Sequence, residues 1–592
     1  MYKQKLTSIV LIFVLLSPVA SLAQNSIYTA PKDDIEKIIT EGRDHSQVMQ
    51  TLGYLSDVIG PRLTGSPGLK RANGWTRDTL TKWGLENAHL ESWGPFGRGW
   101  TLKRFYAMVD GPTAFPLIAY PKAWSPGTDT LFPAPISDSK NKKSKAPAAP
   151  VSTAYTGEVV RFTATKEEEL EQYRGKLKGK IVLVGPIREI RAHFDPEAKR
   201  STDKELLDLA DAQDPALVQR PSFNGPNNFA QMQRFNNARM RFLADEGAAI
   251  LIDAGRGDDG TIFVQQATAV QQPPPAEGTQ PSPPARLYDK ETRIPIQISA
   301  SAEHFNRMVR MIDAGEKVTM TVDLAVEYQD EDPMVYNTIA EIPGSDLKDE
   351  VVMLGGHMDS WQAGTGATDN GAGCAVMMEA VRILKTLGFK PRRTIRIALW
   401  TGEEQGLLGA RSYVRQHFAY RGDQNASIFG GGGGGGGGQN ATPQPLTKLP
   451  EYDKLSAYFN IDNGTGKIRG VYMQGNNDVR PIFKTWLASF KDPKWWKADF
   501  DAAKDTNMSA NTLTLANTGG TDHLSFDGVG LPGFQFIQDE IDYDARTHHS
   551  NQDVFDRIQA NDMKQISIIV AAFVYQTAMM DGKMPRKPMR QP

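Results

Sequence analysis

Histidines and carboxylates recur in five short segments of the second half of the chain. The residues able to bind a metal ion in these segments are His357, Asp359, Asp369, Glu403, Glu404, Asp462, His548 and His549. Imidazole nitrogens and carboxylate oxygens are common zinc ligands, and catalytic zinc sites keep a position open for water. Structural zinc sites are usually closed and rich in thiolates, whereas this chain has 1 cysteine. The residue types therefore predict a catalytic metal centre.

Two imidazoles and three carboxylates are sufficient for two metal ions when one carboxylate is shared. We interpret His357, Asp369, Glu404, Asp462 and His549 as the ligands, with Asp369 as the bridge. Each ion then has one histidine, one terminal carboxylate and the shared aspartate, which leaves positions open for water. Two ions about 3.5–4 Å apart can hold a hydroxide between them and polarise a carbonyl group.

Two further carboxylates beside the ligands are predicted to have other roles. Glu403 precedes a ligand, and we interpret it as the general base that takes a proton from water and returns it to the leaving amine. Asp359 follows His357 by two residues and is expected to accept the second N–H of that ring. Each of these signals alone is weak, because such residues are more often solvated on a protein surface. Their order along the chain, close to predicted strand ends, indicates a site.

The elements that must position these residues alternate between strands and helices. Apolar runs at 351–354, 394–400, 455–461 and 533–537 predict strands, and helical periodicity covers 370–387 and 562–580. Such alternation predicts an α/β fold with a doubly wound, mostly parallel sheet and helices on both faces. Side chains at the carboxyl ends of the strands in such a sheet converge on one crevice. The five segments are therefore expected to meet.

Length and composition predict more than one domain. The chain has 592 residues and a net charge of −2, which is typical of a large globular protein and lacks the basic surface of a nucleic-acid-binding protein. We divide it into a signal peptide at 1–23, an N-terminal part of the catalytic domain at 24–119, a smaller inserted α+β domain at 120–330 and the main part of the catalytic domain at 331–592. The nine glycines at 430–438 predict a surface loop.

The first residues have the features of a secretory signal. Lys3 and Lys5 precede an apolar run at 9–16, and the Ser21-Leu22-Ala23 stretch matches a cleavage site. The apolar run is shorter than the ~20 residues of a membrane span, which disfavours an uncleaved anchor. We predict export to the periplasm or the extracellular space, with no membrane anchor after cleavage. A chain with a single thiol, Cys374, suits this environment, and its apolar surroundings predict a packing role.

The five segments, taken in this order, resemble those of the co-catalytic zinc exopeptidase family. This family includes bacterial aminopeptidases, glutamate carboxypeptidases and the transferrin-receptor ectodomain. The resemblance implies two Zn²⁺ ions per chain, the first bound by His357 and Asp462 and the second by Glu404 and His549. Asp369 would be the bridge and Glu403 the base. Residues 59–66 resemble a motif of the plasma glutamate carboxypeptidase branch, and residues 120–330 resemble a protease-associated domain.

The resemblance implies an exported zinc exopeptidase that hydrolyses terminal peptide bonds through a hydroxide bridging two zinc ions. Aminopeptidase action is the first expectation. The alternatives are a carboxypeptidase or dipeptidase of the glutamate carboxypeptidase type, a non-catalytic binding ectodomain and a single-zinc glutaminyl cyclase. Intact ligands disfavour the ectodomain, and His357 disfavours the cyclase. Carboxylates in the pocket would select a free ammonium group, and arginines would select a free carboxylate.

Two further histidines are candidates for contact with the transition state or the substrate pocket. His548 occupies the position where this family often has a tyrosine that steadies the oxyanion. His523 lies in a segment, 521–526, that resembles a family segment near the pocket, and a structural role is the alternative. The expected partners are peptide substrates, with no nucleic acid.

Overall fold

The computed structural model describes residues 27–132, 153–215, 217–218, 226–273, 283–424, 427, 429, 444–496 and 507–588. The predicted signal peptide and the glycine run at 430–438 lie outside the described residues.

The α-helices of the described ranges are α1 (Lys32–Asp44), α2 (Val48–Gly53), α3 (Pro67–Lys82), α4 (Asp203–Ala210), α5 (Pro226–Asp245), α6 (Ala302–Asp313), α7 (Ala372–Thr386), α8 (Leu408–His417), α9 (Arg480–Leu487), α10 (His523–Asp527) and α11 (Ala560–Met579). The strands are β1 (Glu86–Ser92), β2 (Gly99–Gly111), β3 (Phe115–Pro116), β4 (Ala119–Pro121), β5 (Tyr155–Phe162), β6 (Ile181–Val184), β7 (Ile250–Ala254), β8 (Ile296–Ala300), β9 (Thr319–Gln329), β10 (Tyr336–Ile342), β11 (Leu347–His357), β12 (Arg393–Trp400), β13 (Ala419–Arg421), β14 (Leu446–Lys448), β15 (Leu455–Asn460), β16 (Ile468–Tyr472), β17 (Thr512–Thr514) and β18 (Gly533–Gln538).

A sheet that we call the main sheet carries the predicted site. Its strand order is β1-β10-β12-β11-β15-β18-β16-β17. The four central strands, β12, β11, β15 and β18, are parallel to one another. The pair β16–β17 is also parallel. The pairs β1–β10, β10–β12 and β16–β18 are antiparallel. The predicted α/β class with a mostly parallel sheet is confirmed, and the antiparallel pairs lie outside its parallel centre.

Side-chain alternation along the central strands builds a core on each face of the main sheet. Val352 and Leu354 of β11 point into a large cluster formed with α7, α11 and the N-terminal helices. Their neighbours Val351 and Met353 point to the opposite face and pack with residues of α8 and α10. This two-residue period is what a strand buried on both faces requires. The strand ends are therefore held between two helical layers.

A second sheet has the strand order β3-β2-β9-β5-β6-β7-β8-β4. Its own apolar clusters include Phe305 of α6 on one face and Leu243 of α5 on the other. The sheet takes in β2, which pairs with β9 over almost its whole length. The strand β2 begins at Gly99, whereas the sequence-based boundary of the insert was residue 120. A separate domain at 120–330 remains a prediction. No helix in the described ranges combines the length and the apolar character needed to cross a membrane.

Candidate metal centre

The predicted ligands lie at the carboxyl edge of the parallel strands. His357 is the last residue of β11, Glu404 follows β12, and Asp462 follows β15. Asp369 lies in the turn Ala367–Gly371, which leads directly into α7, and His549 follows the turn Tyr543–Thr547 beyond β18. Parallel strands bring residues that are distant in sequence to one edge. The structure thus brings all five predicted ligands together.

The distances separate the ligands into two groups that share Asp369. His357 Nε2 lies 3.2 Å from Asp369 Oδ1 and 3.5 Å from Asp462 Oδ2. On the other side, His549 Nε2 lies 3.2 Å from Asp369 Oδ2 and 2.9 Å from Glu404 Oε2. One oxygen of Asp369 therefore faces each histidine, which is the arrangement that a carboxylate bridging two cations needs.

The charges of this cluster fit bound cations. Four carboxylates line the same cavity, those of Asp369, Glu403, Glu404 and Asp462. Asp369, Glu403 and Asp462 are each at most 9% exposed. Asp369 Oδ2 and Glu404 Oε1 are buried and accept no hydrogen bond from any described residue. Burial of several carboxylates without compensating cations is strongly unfavourable. The donor set thus suits divalent metal ions that accept oxygen and nitrogen ligands.

The electrostatic coupling of these groups appears in their pKa values. Burial raises the pKa of Glu403 well above its usual range, and it raises the pKa of Glu404 to about 7. Burial lowers the pKa of His549, but Glu404 and Asp369 raise it more strongly, to about 10. The protein without metal thus holds protons on groups that must release them when a metal binds. Metal binding at this site is expected to depend on pH.

Asp359 holds the backbone that carries the base and a ligand. Its Oδ1 accepts from the backbone N–H of Glu403 at 3.2 Å, and its Oδ2 accepts from the N–H of Glu404 at 3.3 Å. The Nδ1 atom of His357 lies 3.0 Å from the backbone carbonyl oxygen of Asp359 and 3.6 Å from its carboxylate. The expected contact with the ring of His357 is therefore made by the backbone oxygen. The carboxylate instead orients the segment after β12.

The segment 59–66 forms hydrogen bonds with the loops of the metal centre. The Arg62 side chain is fully buried and donates to the carbonyl oxygens of Met358, Thr365 and Gly366 at 2.7, 2.9 and 2.6 Å. Thr64 Oγ1 donates to Asp359 Oδ2 at 3.0 Å. The segment then enters α3, where the hydroxyl oxygen of Ser66 accepts a hydrogen bond from the backbone N–H of Leu69. Residues 59–66 thus hold both ends of the loop that leads from His357 to Asp369.

Three further residues support the site, and sequence reasoning assigned none of them a catalytic role. Asp553 Oδ1 accepts from Thr368 Oγ1 at 2.8 Å and also from its backbone N–H, which anchors the turn of Asp369. Trp361 donates its indole N–H to Glu404 Oε2 at 2.6 Å. Cys374 is buried, and its Sγ lies 3.1 Å from the carbonyl oxygen of His357.

Asp553 falls within the segment that contains His549, so its position in the sequence offered a signal. Trp361 offered none.

The two histidines predicted near the pocket occupy different environments. His548 lines the cavity, and its ring stacks on Tyr543 with ring centres 4.7 Å apart. Its Nε2 lies 3.9 Å from Asp369 Oδ2, and burial lowers its pKa, which favours the neutral ring. His523 is fully buried at the start of α10, and its Nε2 lies 2.9 Å from Gln474 Nε2. The residues that line the cavity do not include His523.

A cavity of about 330 Å³ opens onto the cluster. The described residues that line it include the four carboxylates and the two adjacent histidines but no lysine or arginine. Gln265 reaches the cavity from the loop after β7, and Asn463 and Leu407 reach it from the main-sheet loops. The cavity is large enough for the end of a peptide, and Glu403 lies on its wall.

Comparison with known protein families matches the part of the chain that contains the cluster. Residues 337–574, which include every predicted ligand, match the model of peptidase family M28. Over these residues the chain is similar to this family of co-catalytic zinc exopeptidases. It is a metal-dependent exopeptidase that acts on peptides.

Individual relatives extend the match beyond residues 337–574. The chain is 25% identical to carboxypeptidase Q of Mus musculus, over 94% of the chain and 91% of that protein. It is 39% identical to the probable leucine aminopeptidase 2 of Aspergillus fumigatus over 107 residues, which are 18% of this chain and 20% of that protein. The crystal structure of a peptidase M28 precursor from Shewanella amazonensis has a TM-score of 0.58 at 21% identity, covering 94% of this chain and 99% of that one. This last likeness concerns the fold alone.

Proposed function

We propose that the protein is an exported di-zinc aminopeptidase that releases amino-terminal residues from peptides. The observation that carries the proposal is the shared carboxylate of Asp369, whose two oxygens face His357 and His549 at 3.2 Å each. His357, Asp369 and Asp462 would hold one zinc ion, and Asp369, Glu404 and His549 the other. When bound, the two ions would polarise the substrate carbonyl and lower the pKa of a bound water.

Glu403 is the residue of the chain that moves the proton. Its carboxylate lies on the cavity wall, while its backbone N–H is fixed by Asp359. It takes the proton from the attacking water and delivers it to the nitrogen of the leaving amine. Asp462 and Glu404 differ from Glu403 because each lies within 3.5 Å of a ligand histidine, whereas Glu403 Oε2 is 3.9 Å from His357 Nε2.

The charge of the cavity supports action at the amino terminus. A free carboxyl terminus would need a guanidinium or ammonium group, and the described lining residues offer neither. Arg546 is close in sequence to His548, but its guanidinium pairs with Glu197 and lies 3.4 Å from Thr261 Oγ1. A free ammonium group would instead enter a cavity whose fixed side-chain charges are carboxylates.

A carboxypeptidase or dipeptidase is the second candidate function. The similarity to carboxypeptidase Q, which extends over 94% of the chain, favours it. Peptides blocked at one end distinguish the two candidates, because an aminopeptidase cleaves a carboxyl-amidated peptide and spares its amino-acetylated counterpart. Faster cleavage of the acetylated peptide would refute aminopeptidase action. A free dipeptide included in both series tests for a dipeptidase.

Adjacent glutamates provide a matched pair of variants for the mechanism. Glu403→Gln should keep two zinc ions and lose most of kcat, because an amide cannot accept the proton. Glu404→Gln should lose zinc as well as activity, because it replaces a ligand. Zinc content by atomic absorption, measured beside kcat, separates the two effects. Full activity in Glu403→Gln would refute its assignment as the base, and fewer than two zinc ions in the wild type would refute the two-metal site.

Export to the periplasm or the extracellular space is part of the proposal. Its support is the sequence of residues 1–23, with Lys3 and Lys5 before the apolar run. Mass spectrometry of the mature protein from its native host should find the amino terminus at Gln24. An intact Met1 in protein that remains in the cytoplasm would refute export.

A further inference from the structure

Trp361 contacts a proposed zinc ligand directly. Its indole Nε1 lies 2.6 Å from Glu404 Oε2, and the side chain is 5% exposed. The second neighbour of this oxygen is His549 Nε2 at 2.9 Å. Glu404 Oε1 accepts no hydrogen bond from any described residue. The two donors to the Glu404 carboxylate are thus a tryptophan and a histidine that is itself a proposed ligand.

Metal binding changes the balance between these two donors. If His549 Nε2 binds the metal ion through its lone pair, the same nitrogen has no N–H to donate to Glu404. The indole N–H has no such conflict, because it donates only and does not titrate. Trp361 is then the remaining donor to this carboxylate among the described residues. Hydrogen bonds to metal-binding carboxylates from outside the ligand set orient them.

The packing around Trp361 keeps its ring in place. Its ring meets the rings of His549 and Trp124 edge to face, with centres 6.0 and 6.5 Å apart. Trp124 belongs with Tyr288 and Phe96 to an aromatic cluster between the two sheets. A rotation of the indole that broke the bond to Glu404 would need this cluster to repack. The bond therefore comes from a rigid side chain.

We propose that Trp361 is a positioning residue that holds the Glu404 carboxylate in the orientation required for zinc, and that it acts selectively on the zinc position shared by Glu404 and His549. This inference rests on the proposed two-zinc function. The aromatic cluster contributes indirectly to metal binding, because Trp124 packs against the Trp361 ring and Trp361 donates to the Glu404 carboxylate.

The test compares two tryptophan variants by zinc affinity in the absence of substrate. Trp361→Phe removes the N–H that reaches Glu404. Trp100→Phe is the matched control, because Trp100 is buried in the same cluster and its indole N–H donates to Ser125 O at 2.8 Å, away from every proposed ligand. Metal-free proteins are titrated with zinc against a chromophoric chelator.

We expect Trp361→Phe to bind one zinc ion as the wild type does and the other about 10–100-fold more weakly, the usual effect of losing such a partner. Trp100→Phe should bind both as the wild type does. Cobalt substitution supplies a second readout, since the visible absorption of only one of the two ions should change. Equal affinity for both zinc ions in Trp361→Phe and Trp100→Phe would overturn the inference and leave the two-zinc function standing.

A wild-type protein that binds fewer than two zinc ions would instead refute the proposed function on which the inference rests. If Trp361→Phe does not fold, benzothienylalanine is introduced at position 361, since it keeps the shape of the ring and replaces the N–H with sulfur. The same selective loss of zinc affinity is expected. Wild-type affinity at both positions in that protein overturns the inference.

Discussion

Replacement of Arg62 by methionine should release the loops around the metal centre. The guanidinium donates to five carbonyl oxygens, those of Leu55, Gly60, Met358, Thr365 and Gly366. Two of these oxygens have another donor, since Leu55 O accepts from Gly60 N and Gly366 O accepts from Gly371 N. The remaining three have no other donor among the described residues. Methionine is similar in length but donates no hydrogen bond.

The three remaining carbonyl oxygens set the size of the effect. An unsatisfied buried acceptor costs about 1–3 kcal/mol, so three of them cost about 3–9 kcal/mol. That is a large part of the roughly 5–15 kcal/mol by which a folded protein is stable. Arg62→Lys should be intermediate, because an ammonium group cannot reach acceptors on both sides as a guanidinium fork does. Met358 and Gly366 lie on either side of the loop that leads to Asp369, so zinc affinity should fall with stability.

Urea unfolding of the wild type, Arg62→Met and a control gives the test. Arg393→Met is the control, because Arg393 is 1% exposed and donates to Glu350, Met580 and Asp581 away from the metal centre. Both variants should lose stability, but zinc affinity and kcat should fall only in Arg62→Met. The reasoning would be refuted by a loss below about 1 kcal/mol in Arg62→Met, or by equal zinc affinity in the two variants.

Three other predictions follow from single residues. Asp359→Asn leaves one carboxamide oxygen for two backbone N–H groups, so zinc affinity should fall about 10–100-fold in a chelator titration, and an unchanged affinity would contradict the assigned contact. Burial raises the pKa of Cys374 to about 12, so a thiol reagent at pH 8 should label it only after urea unfolding; rapid labelling of folded protein would show that it is exposed. Burial lowers the pKa of His417, but Glu451 and Glu91 raise it to about 9 in net. Its charged ring therefore stabilises the fold below pH 6.5, and this contribution is lost as the pH rises through about 9, so urea titrations should show the wild type losing stability relative to His417→Gln over that interval.

The metal centre was accessible to sequence reasoning because its chemistry lies in side chains near strand ends. Strand periodicity predicts β11, β12 and β15, and each strand ends at, or shortly before, a histidine or a carboxylate of the site. Because the carboxyl ends of parallel strands lie at the same edge of a sheet, the sequence alone predicts that His357, Glu404 and Asp462 lie close together. The fold class and the family are confirmed. The role of each residue remains a prediction until zinc affinity and kcat are measured.

Arg62 and Trp361 escaped the same reasoning because nothing in the sequence indicates which residues they contact. Arg62 binds backbone carbonyl oxygens, which every residue has, so nothing in the sequence marks Met358 or Gly366 as its acceptors. Trp361 reaches Glu404 across 43 positions of sequence. The strand β2 joins the second sheet by pairing with β9, which lies more than two hundred residues later. Long-range pairings of this kind depend on tertiary packing rather than on local propensity.

The second sheet is tied to the metal centre through the residues beside His549. The backbone N–H of Val264 donates to His549 O at 2.9 Å, and Ile262 and Asn551 exchange hydrogen bonds at 2.7 and 3.1 Å. His549 has a φ of 62°, a backbone conformation that is uncommon for a non-glycine residue and is favoured by fixed surroundings. The loop 262–264 supplies part of that constraint, and Gln265 then continues into the cavity wall. The same loop therefore fixes a zinc ligand and shapes the space for the peptide, so changes in this loop should alter metal affinity and substrate choice together.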